Sequence, residues 1–401
     1  MRRSFEHLAM TERNPEYGRA ISRRVPLYER EGDERSPFVR DYTRVLHSLA
    51  FRRLKHKTQV FYNVGNDHIC TRMEHVSHVE SVSEAIAASL GLNRELTRAI
   101  AIAHDLGHPP FGHQGERIIS GISLEYIGES FWHEKHGLRI ADCFELLEDD
   151  HGIFRPLDLT YAVRDGIIAH CGEVDENGIF PRDPEIGVEA FASPGDYQPY
   201  TWEGCVVKLS DKIAYLGRDI EDAIRLCILS REDRHHLCRI IGSDPINTTV
   251  LINDFVTDVC KNSSPERGIC LGGRSLEMMN EIKQFNTDNI YRNSELETFG
   301  RYAKLVLTSL FESLHSCYDF YDPEKTFENL KSGSRRGIEF RRSFADRTER
   351  FCAFGSHPEY ATEPVYGCLD NIKLYDRAII DFISGMTDSY AIKAFDELIT
   401  F

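Results

Sequence analysis

The chain has 401 residues, 41% of them hydrophobic and 28% charged, with a formal charge of −16 at pH 7. That length allows a large core in one elaborate unit or two fused lobes; no stretch reaches the ~18 to 20 continuous apolar residues of a membrane span. The negative charge argues against broad adhesion to nucleic acid or anionic lipid, so a polyanionic ligand needs a local basic pocket or a metal. In chain order, no apolar stretch of signal-peptide length follows the opening MRRSFEHLAM, which predicts no export. Tyr42 to Leu54 reads as one amphipathic helix, with Val45, Leu46, Leu49, Ala50 and Leu54 at helical spacing between arginines. Between Thr58 and Cys70 the segment is β-branched and aromatic around a Gly65-Asn66-Asp67 turn signal, predicting a short hairpin.

A helix follows over roughly Arg72 to Leu90, with Val76, Val79, Ile86 and Leu90 on one face and Gly91 as its stop. Asn93 is placed to cap the next, whose stripe is Leu96, Ala99, Ile100 and Ala103 and which Gly107, Pro109 and Pro110 end. Cys171 to Glu203 concentrates Gly, Pro and Asp and reads as an excursion between helices, with room for a small hairpin. Cys205 to Leu229, Arg301 to Leu314 and Leu374 to Leu398 are again apolar-periodic. The eleven cysteines are singletons without a CxxC pair, as expected of reduced thiols in a cytoplasmic protein. The fold class is therefore all-α, with minor hairpins.

Chemistry concentrates in AHDLGHPPFGHQGE, Ala103 to Glu116, where three histidines, an aspartate and a glutamate surround a Gly-Pro break. Imidazoles and carboxylates suit first-row divalent metals. His104 and Asp105 are adjacent and project about 100° apart on a helix, so they can flank one ion. His75 and Asp211 are the natural further donors, completing a set of two imidazoles and two carboxylates. Such a set favours Mn²⁺, Mg²⁺ or Fe²⁺, with Zn²⁺ behind them, and leaves positions open for water or phosphate.

His75, His104-Asp105 and Asp211 resemble the H…HD…D pattern of the HD phosphohydrolases. Flanking words narrow the resemblance to the deoxyguanosine triphosphate triphosphohydrolase-like branch: AFRRLKHKTQVF at Ala50 to Phe61, HDLGHPPFGHQGE at His104 to Glu116, SDKIAYLGRDIED at Ser210 to Asp222 and DFISGMTDSYA at Asp381 to Ala391. The resemblance implies a single unit over 1–401, with an HD core at about 42–230 and a C-terminal helical region at about 231–401. It also implies hydrolysis of dNTPs, dGTP the first guess, by metal-activated water at the α-phosphorus, releasing deoxynucleoside and triphosphate. That activity would reshape deoxynucleotide pools and serve phage defence. By the same resemblance His113 is the acid or base, oriented by Glu116, with His108 and His133 completing the phosphate side. Arg72 and Lys212 look like triphosphate contacts, Gln59 and Val60 lie near the sugar, and Tyr215 and Asp219 pack on the deoxyribose and bond its 3′ hydroxyl. The resemblance further implies a homo-oligomer, hexamer or tetramer, and allows an activating nucleotide at a second site.

Blander readings stand beside these. His7, His47, His170, His235, His236 and His315 read as packing histidines, and Cys70, Cys171 and Cys205 as packing cysteines. Arg52, Arg53, Lys55 and Lys57 read as a solvated charge run or as phosphate or subunit contacts. His78, one turn beyond His75, faces either the metal or solvent. Rival functions are an HD phosphodiesterase acting on a cyclic or signalling nucleotide, a silent dNTP sensor, and a single-strand nucleic-acid binder, which the net charge disfavours.

Overall fold

The Arg72–Leu90 helix is fixed at both ends by local chemistry: Thr71 and Glu74 form a reciprocal capping box, and Gly91 closes it at φ 86°. A computed structural model of the chain describes residues 4–27, 32–61, 66–171, 177–332, 336–353 and 358–400. Among these, seventeen α-helices carry the fold, and the one sheet is the antiparallel pair Leu146–Glu148 and Phe154–Pro156. The all-α class is as the sequence predicts. No helix of the described residues is long and apolar enough to cross a membrane.

Four helices frame the centre. Arg72–Leu90 packs against Arg94–Ala103 and Trp202–Arg225, while Tyr161–Ala169 packs on Arg94–Ala103, Trp202–Arg225 and His133–Arg139. Asn93 caps its helix as expected, accepting from the backbone N–H of Glu95 and Leu96. Two apolar clusters meet along two of these helices. Arg72–Leu90 gives Val76 and Val79 to one and Ile86 and Leu90 to the other; Trp202–Arg225 gives Val207 and Ala214 to the first and Ile213, Leu216 and Ile220 to the second. The first cluster runs into the C-terminal helices through Leu310, Tyr375, Ile379 and Ala391, and the second into Leu251, Phe255 and Ile282. Side chains near the contact of the two clusters are therefore held from both sides.

Three expectations are corrected. Tyr42 to Leu54 is not one helix: Pro37–His47 stops at Ser48, whose hydroxyl caps Leu49–Arg53 by accepting from Phe51 N at 3.1 Å. Leu374 to Leu398 is likewise two helices, Ile372–Ser384 and Asp388–Ile399, with Thr387 capping the second. Between Thr58 and Cys70 no strand forms among the described residues, only an isolated antiparallel bridge between Thr58 and Thr71; residues 62–65, which include Gly65 of the predicted turn, lie outside them. The 171–203 excursion is irregular apart from the short turn Val188–Ala190 and a bridge from Ile179 to Ile269, and 172–176 lie outside the described residues.

Candidate metal centre and catalytic cavity

The Arg94–Ala103 helix ends as the HD pair begins, and the Gly-Pro run after it is shaped by close backbone approach. A Cβ on Gly107 would lie 1.9 Å from His133 O and 2.2 Å from Gly137 N, so only glycine lets the His133–Arg139 helix lie against this turn. Phe111 and Gly112 then both take left-handed φ, 65° and 56°. Phe111 is held there by Asp388, which accepts its N–H at 3.0 Å.

All four predicted metal-holding side chains converge. His75 Nε2 lies 2.9 Å from Asp211 Oδ1 and 3.8 Å from Asp105 Oδ2, and His104 Nε2 lies 3.6 Å from Asp105 Oδ2 and 3.9 Å from Asp211 Oδ1. His104 donates its Nδ1–H to Ala101 O at 2.6 Å, which leaves Nε2 as the lone-pair nitrogen. That Nε2 is buried and has no hydrogen-bond partner among the described residues, a condition a cation relieves. The donor set thus fits a divalent ion.

Electrostatics agree with the geometry. Burial alone would lift the Asp105 carboxyl, but His104, Arg72, His108 and His75 outweigh it and hold the group well below the ordinary carboxylate range. Asp211 is held at about 2, burial again opposing and the His75 hydrogen bond prevailing. Both acids therefore stay ionised to face a metal.

A cavity of about 540 Å³ opens over this cluster, within the ~300–1,000 Å³ of small-molecule sites. Of the predicted residues, Gln59, Val60, Arg72, His75, Asp105, His108, His113, His133, Asp211, Lys212, Tyr215 and Asp219 line it; His104 sits just behind, fully buried. Arg72 is already engaged, its guanidinium 2.9 Å from Asp105 and donating to Gln59 O at 3.3 Å. Glu116 holds two imidazoles: Oε1 accepts from His133 N and Nδ1, both at 2.8 Å, and Oε2 lies 3.4 Å from His113 Nδ1. The His113 side chain is 65% exposed at the mouth. His108 and His133 stack at 4.0 Å with divergent ionisation. Burial and Arg72 push His108 well down; burial also opposes the charge on His133, but Glu134 and Glu116 prevail and raise it to about 10. Elsewhere on the wall Asp219 accepts from Tyr291 O–H at 2.6 Å, and burial raises its carboxyl to about 7. Ile179, Leu271, Leu276, Met279 and Leu296, from the second apolar cluster, add apolar lining.

The sequence reading missed several wall residues. His170 and Cys171, read as packing, both line the cavity, as do Lys208, Arg117 and Tyr291. Lys57, read within a surface charge run, is 2% exposed and donates to His108 O and Ser384 O. Their signal is tertiary; no local spacing carries it. His78 is half-buried, with its Nδ1 buried and unpartnered among the described residues, and desolvation lowers it to about 4.

Comparison with known proteins agrees with this centre. Residues 72–216 match the HD domain, and 354–397 match the phosphohydrolase-associated domain. Fold and match together define an HD-domain phosphohydrolase. A deoxyguanosinetriphosphate triphosphohydrolase-like protein of Caldanaerobacter subterraneus subsp. tengcongensis is 33% identical over 371 residues, 92% of this chain and 87% of its own length. Namesakes in Desulfatibacillum aliphaticivorans and Clostridium tetani are 33% and 30% identical, over 91% and 93% of this chain and 88% of each relative. The chain belongs to the deoxyguanosinetriphosphate triphosphohydrolase-like family.

Proposed function

We propose that the protein is a divalent-metal-dependent dNTP triphosphohydrolase, with dGTP the first substrate to test. The carrying observation is one cavity whose lining combines the metal-holding cluster of His75, Asp105 and Asp211, backed by His104, with further histidines, with the tyrosines Tyr215 and Tyr291, and with apolar side chains. This combination suits a molecule with a polyanionic tail and an aromatic head. His75, His104, Asp105 and Asp211 would hold the ion, Mn²⁺, Mg²⁺ or Fe²⁺ by their mixture of nitrogen and oxygen donors. When bound, the ion supplies Lewis-acid polarisation, water activation and charge neutralisation at the α-phosphate.

The chain's own residues do the rest. Lys212 and Arg72 face the triphosphate and supply positive charge that an acidic chain otherwise lacks. His113 stands at the mouth with Glu116 behind it and delivers a proton to the departing 5′ oxygen, while His108 and His133 complete the phosphate wall. Gln59 Oε1 is buried without a partner among the described residues, an acceptor for a sugar hydroxyl beside Val60. Tyr215 packs on the deoxyribose, and Asp219 bonds its 3′ hydroxyl. A wall packed this closely on the sugar rejects a 2′ hydroxyl by sterics. The protein acts in the cytoplasm as a homo-oligomer, hexamer or tetramer, and light scattering of the purified chain tests that assembly.

The deciding experiment incubates the protein with Mn²⁺ or Mg²⁺ and each dNTP, alone and in mixtures, and identifies products by chromatography. Deoxynucleoside with inorganic triphosphate is expected. A nucleoside monophosphate or linear dinucleotide from a cyclic or signalling nucleotide would instead make it a phosphodiesterase. Turnover only in mixtures would reveal an activating nucleotide.

A further inference from the structure

Beside the HD cluster stands a second convergence of donors, contributed by two adjacent pairs: His133-Glu134, opening the His133–Arg139 helix, and His170-Cys171, just after Tyr161–Ala169. One nitrogen, sulfur or oxygen from each of the four lies within 4.8 Å of the others. None belongs to the set His75, His104, Asp105 and Asp211. We propose that His133, Glu134, His170 and Cys171 form a second, thiolate-containing site for a divalent cation of the zinc class.

Both imidazoles are oriented for the task. His133 gives Nδ1–H to Glu116 Oε1 at 2.8 Å, and His170 gives Nδ1–H to Ile167 O at 2.8 Å. A carboxylate or carbonyl behind the far nitrogen is what fixes the tautomer of metal-holding histidines. His133 Nε2 is thereby turned to Cys171 Sγ, 3.6 Å away. Glu134 is 1% exposed, and its Oε2 receives no N–H or O–H hydrogen bond among the described residues. It lies 3.4 Å from His133 Nδ1, but that hydrogen is already committed to Glu116. The Cys171 thiol is the carboxylate's remaining hydrogen-bond partner, a weak donor for a buried charge, which a cation would satisfy better.

Donor chemistry and spacing select the ion. Zinc bonds of ~2.0–2.1 Å to nitrogen and ~2.3 Å to sulfur separate tetrahedral ligands by about 3.3 to 3.8 Å. The His133–Cys171 separation of 3.6 Å already falls there. On binding, the buried Cys171 thiol and the protonated His133 each release a proton, and the resulting thiolate, carboxylate and two neutral imidazoles carry two negative charges that a divalent ion cancels. The sulfur favours Zn²⁺ over the Mg²⁺ or Mn²⁺ suited to the HD cluster. His170 joins the two sites, its ring 4.8 Å from that of His104, and His133, His170 and Cys171 line the cavity. The second ion therefore fixes His133 and, through it, Glu116.

The test needs no turnover, so it stands apart from the triphosphohydrolase reading. Full-length protein is stripped of metal and reloaded with Zn²⁺ for elemental analysis, or with Co²⁺ for absorption spectroscopy. Wild type should bind one more equivalent of zinc than Cys171→Ser, and its cobalt form should show thiolate-to-cobalt charge transfer in the near ultraviolet. The band should vanish in Cys171→Ser and persist in Asp211→Asn, which disables only the HD cluster. Glu134→Gln, a near-isosteric second variant, should keep the band but weaken zinc at least ~10-fold. A cobalt-saturated wild type without the band, or a Cys171→Ser protein of native circular dichroism with unchanged stoichiometry and spectrum, overturns the proposal.

Discussion

Asp211 and His113 belong to the same cavity but answer different questions. Asp211 reaches His75 at 2.9 Å inside the donor cluster, whereas His113 stands mostly in solvent, 3.4 Å from Glu116. Asp211→Ala and His104→Ala should therefore abolish triphosphate release and lower metal content together. His113→Ala should keep its metal and lose roughly 10² in kcat, the scale of acid–base assistance. Full activity with full metal content in Asp211→Ala would remove the mechanism. Asp381 offers a pH test on a group that is not part of the HD cluster. Burial opposes its ionisation, but Arg139, 2.6 Å away, and His136 prevail and hold the carboxyl well below its usual 3.8. A depressed acid stabilises the fold fully above its unfolded pKa and loses that contribution as pH falls through the folded one. The stability gap between wild type and Asp381→Asn should then be about 3 kcal/mol at neutral pH, holding down to pH ~4 and shrinking below it. Urea titrations across pH check it, and a gap independent of pH would mean that the ion pair contributes nothing.

Helices were legible in the sequence where their ends carry their own chemistry. Arg72–Leu90 has its capping box and glycine stop in the chain itself, and so its limits were read correctly. Ser48 was not read as a break because apolar spacing continues across it: its hydroxyl ends one helix and starts another without disturbing the stripe. The HD cluster was visible because His104 and Asp105 are neighbours inside a dense word. His170 and Cys171 were not, since what makes them wall residues is the arrival of His133 from another helix. That arrival depends on Gly107, against which the His133–Arg139 helix lies directly. Gly107→Ala should push this helix off the HD turn, costing about 3 kcal/mol or more of stability, as overpacking does at such contacts. Thermal unfolding with a metal assay checks it: a variant with wild-type melting and activity would show that the backbone contact is dispensable.

Across the whole molecule, the last two described helices, Ile372–Ser384 and Asp388–Ile399, act on the centre without lining it. Asp388, at the start of the last described helix, accepts from Phe111 N at 3.0 Å, Thr58 Oγ1 at 2.7 Å and Thr58 N at 3.2 Å. Lys57 ties Ser384 O to His108 O from the same side. The strained Phe111-Gly112 turn, which lies between His108 and His113 and leaves their rings 5.3 Å apart, is thus closed by residues more than 270 positions along the chain, as for Phe111 and Asp388. Sequence order gave no sign of that link. The word DFISGMTDSYA showed that the C-terminal region mattered but not what it touched. Asp388→Ala should leave the four HD side chains and their metal in place, lower stability by about 2 kcal/mol, and let the turn drift. A displacement near 1 Å there costs up to ~10² in turnover. Asp388→Asn retains an oxygen for Phe111 N and should recover most of the loss in kcat with KM little changed. If Asp388→Ala instead unfolds less readily than expected and turns over at the wild-type rate, the last helices serve packing alone, and the turn is held by Lys57 and its own backbone.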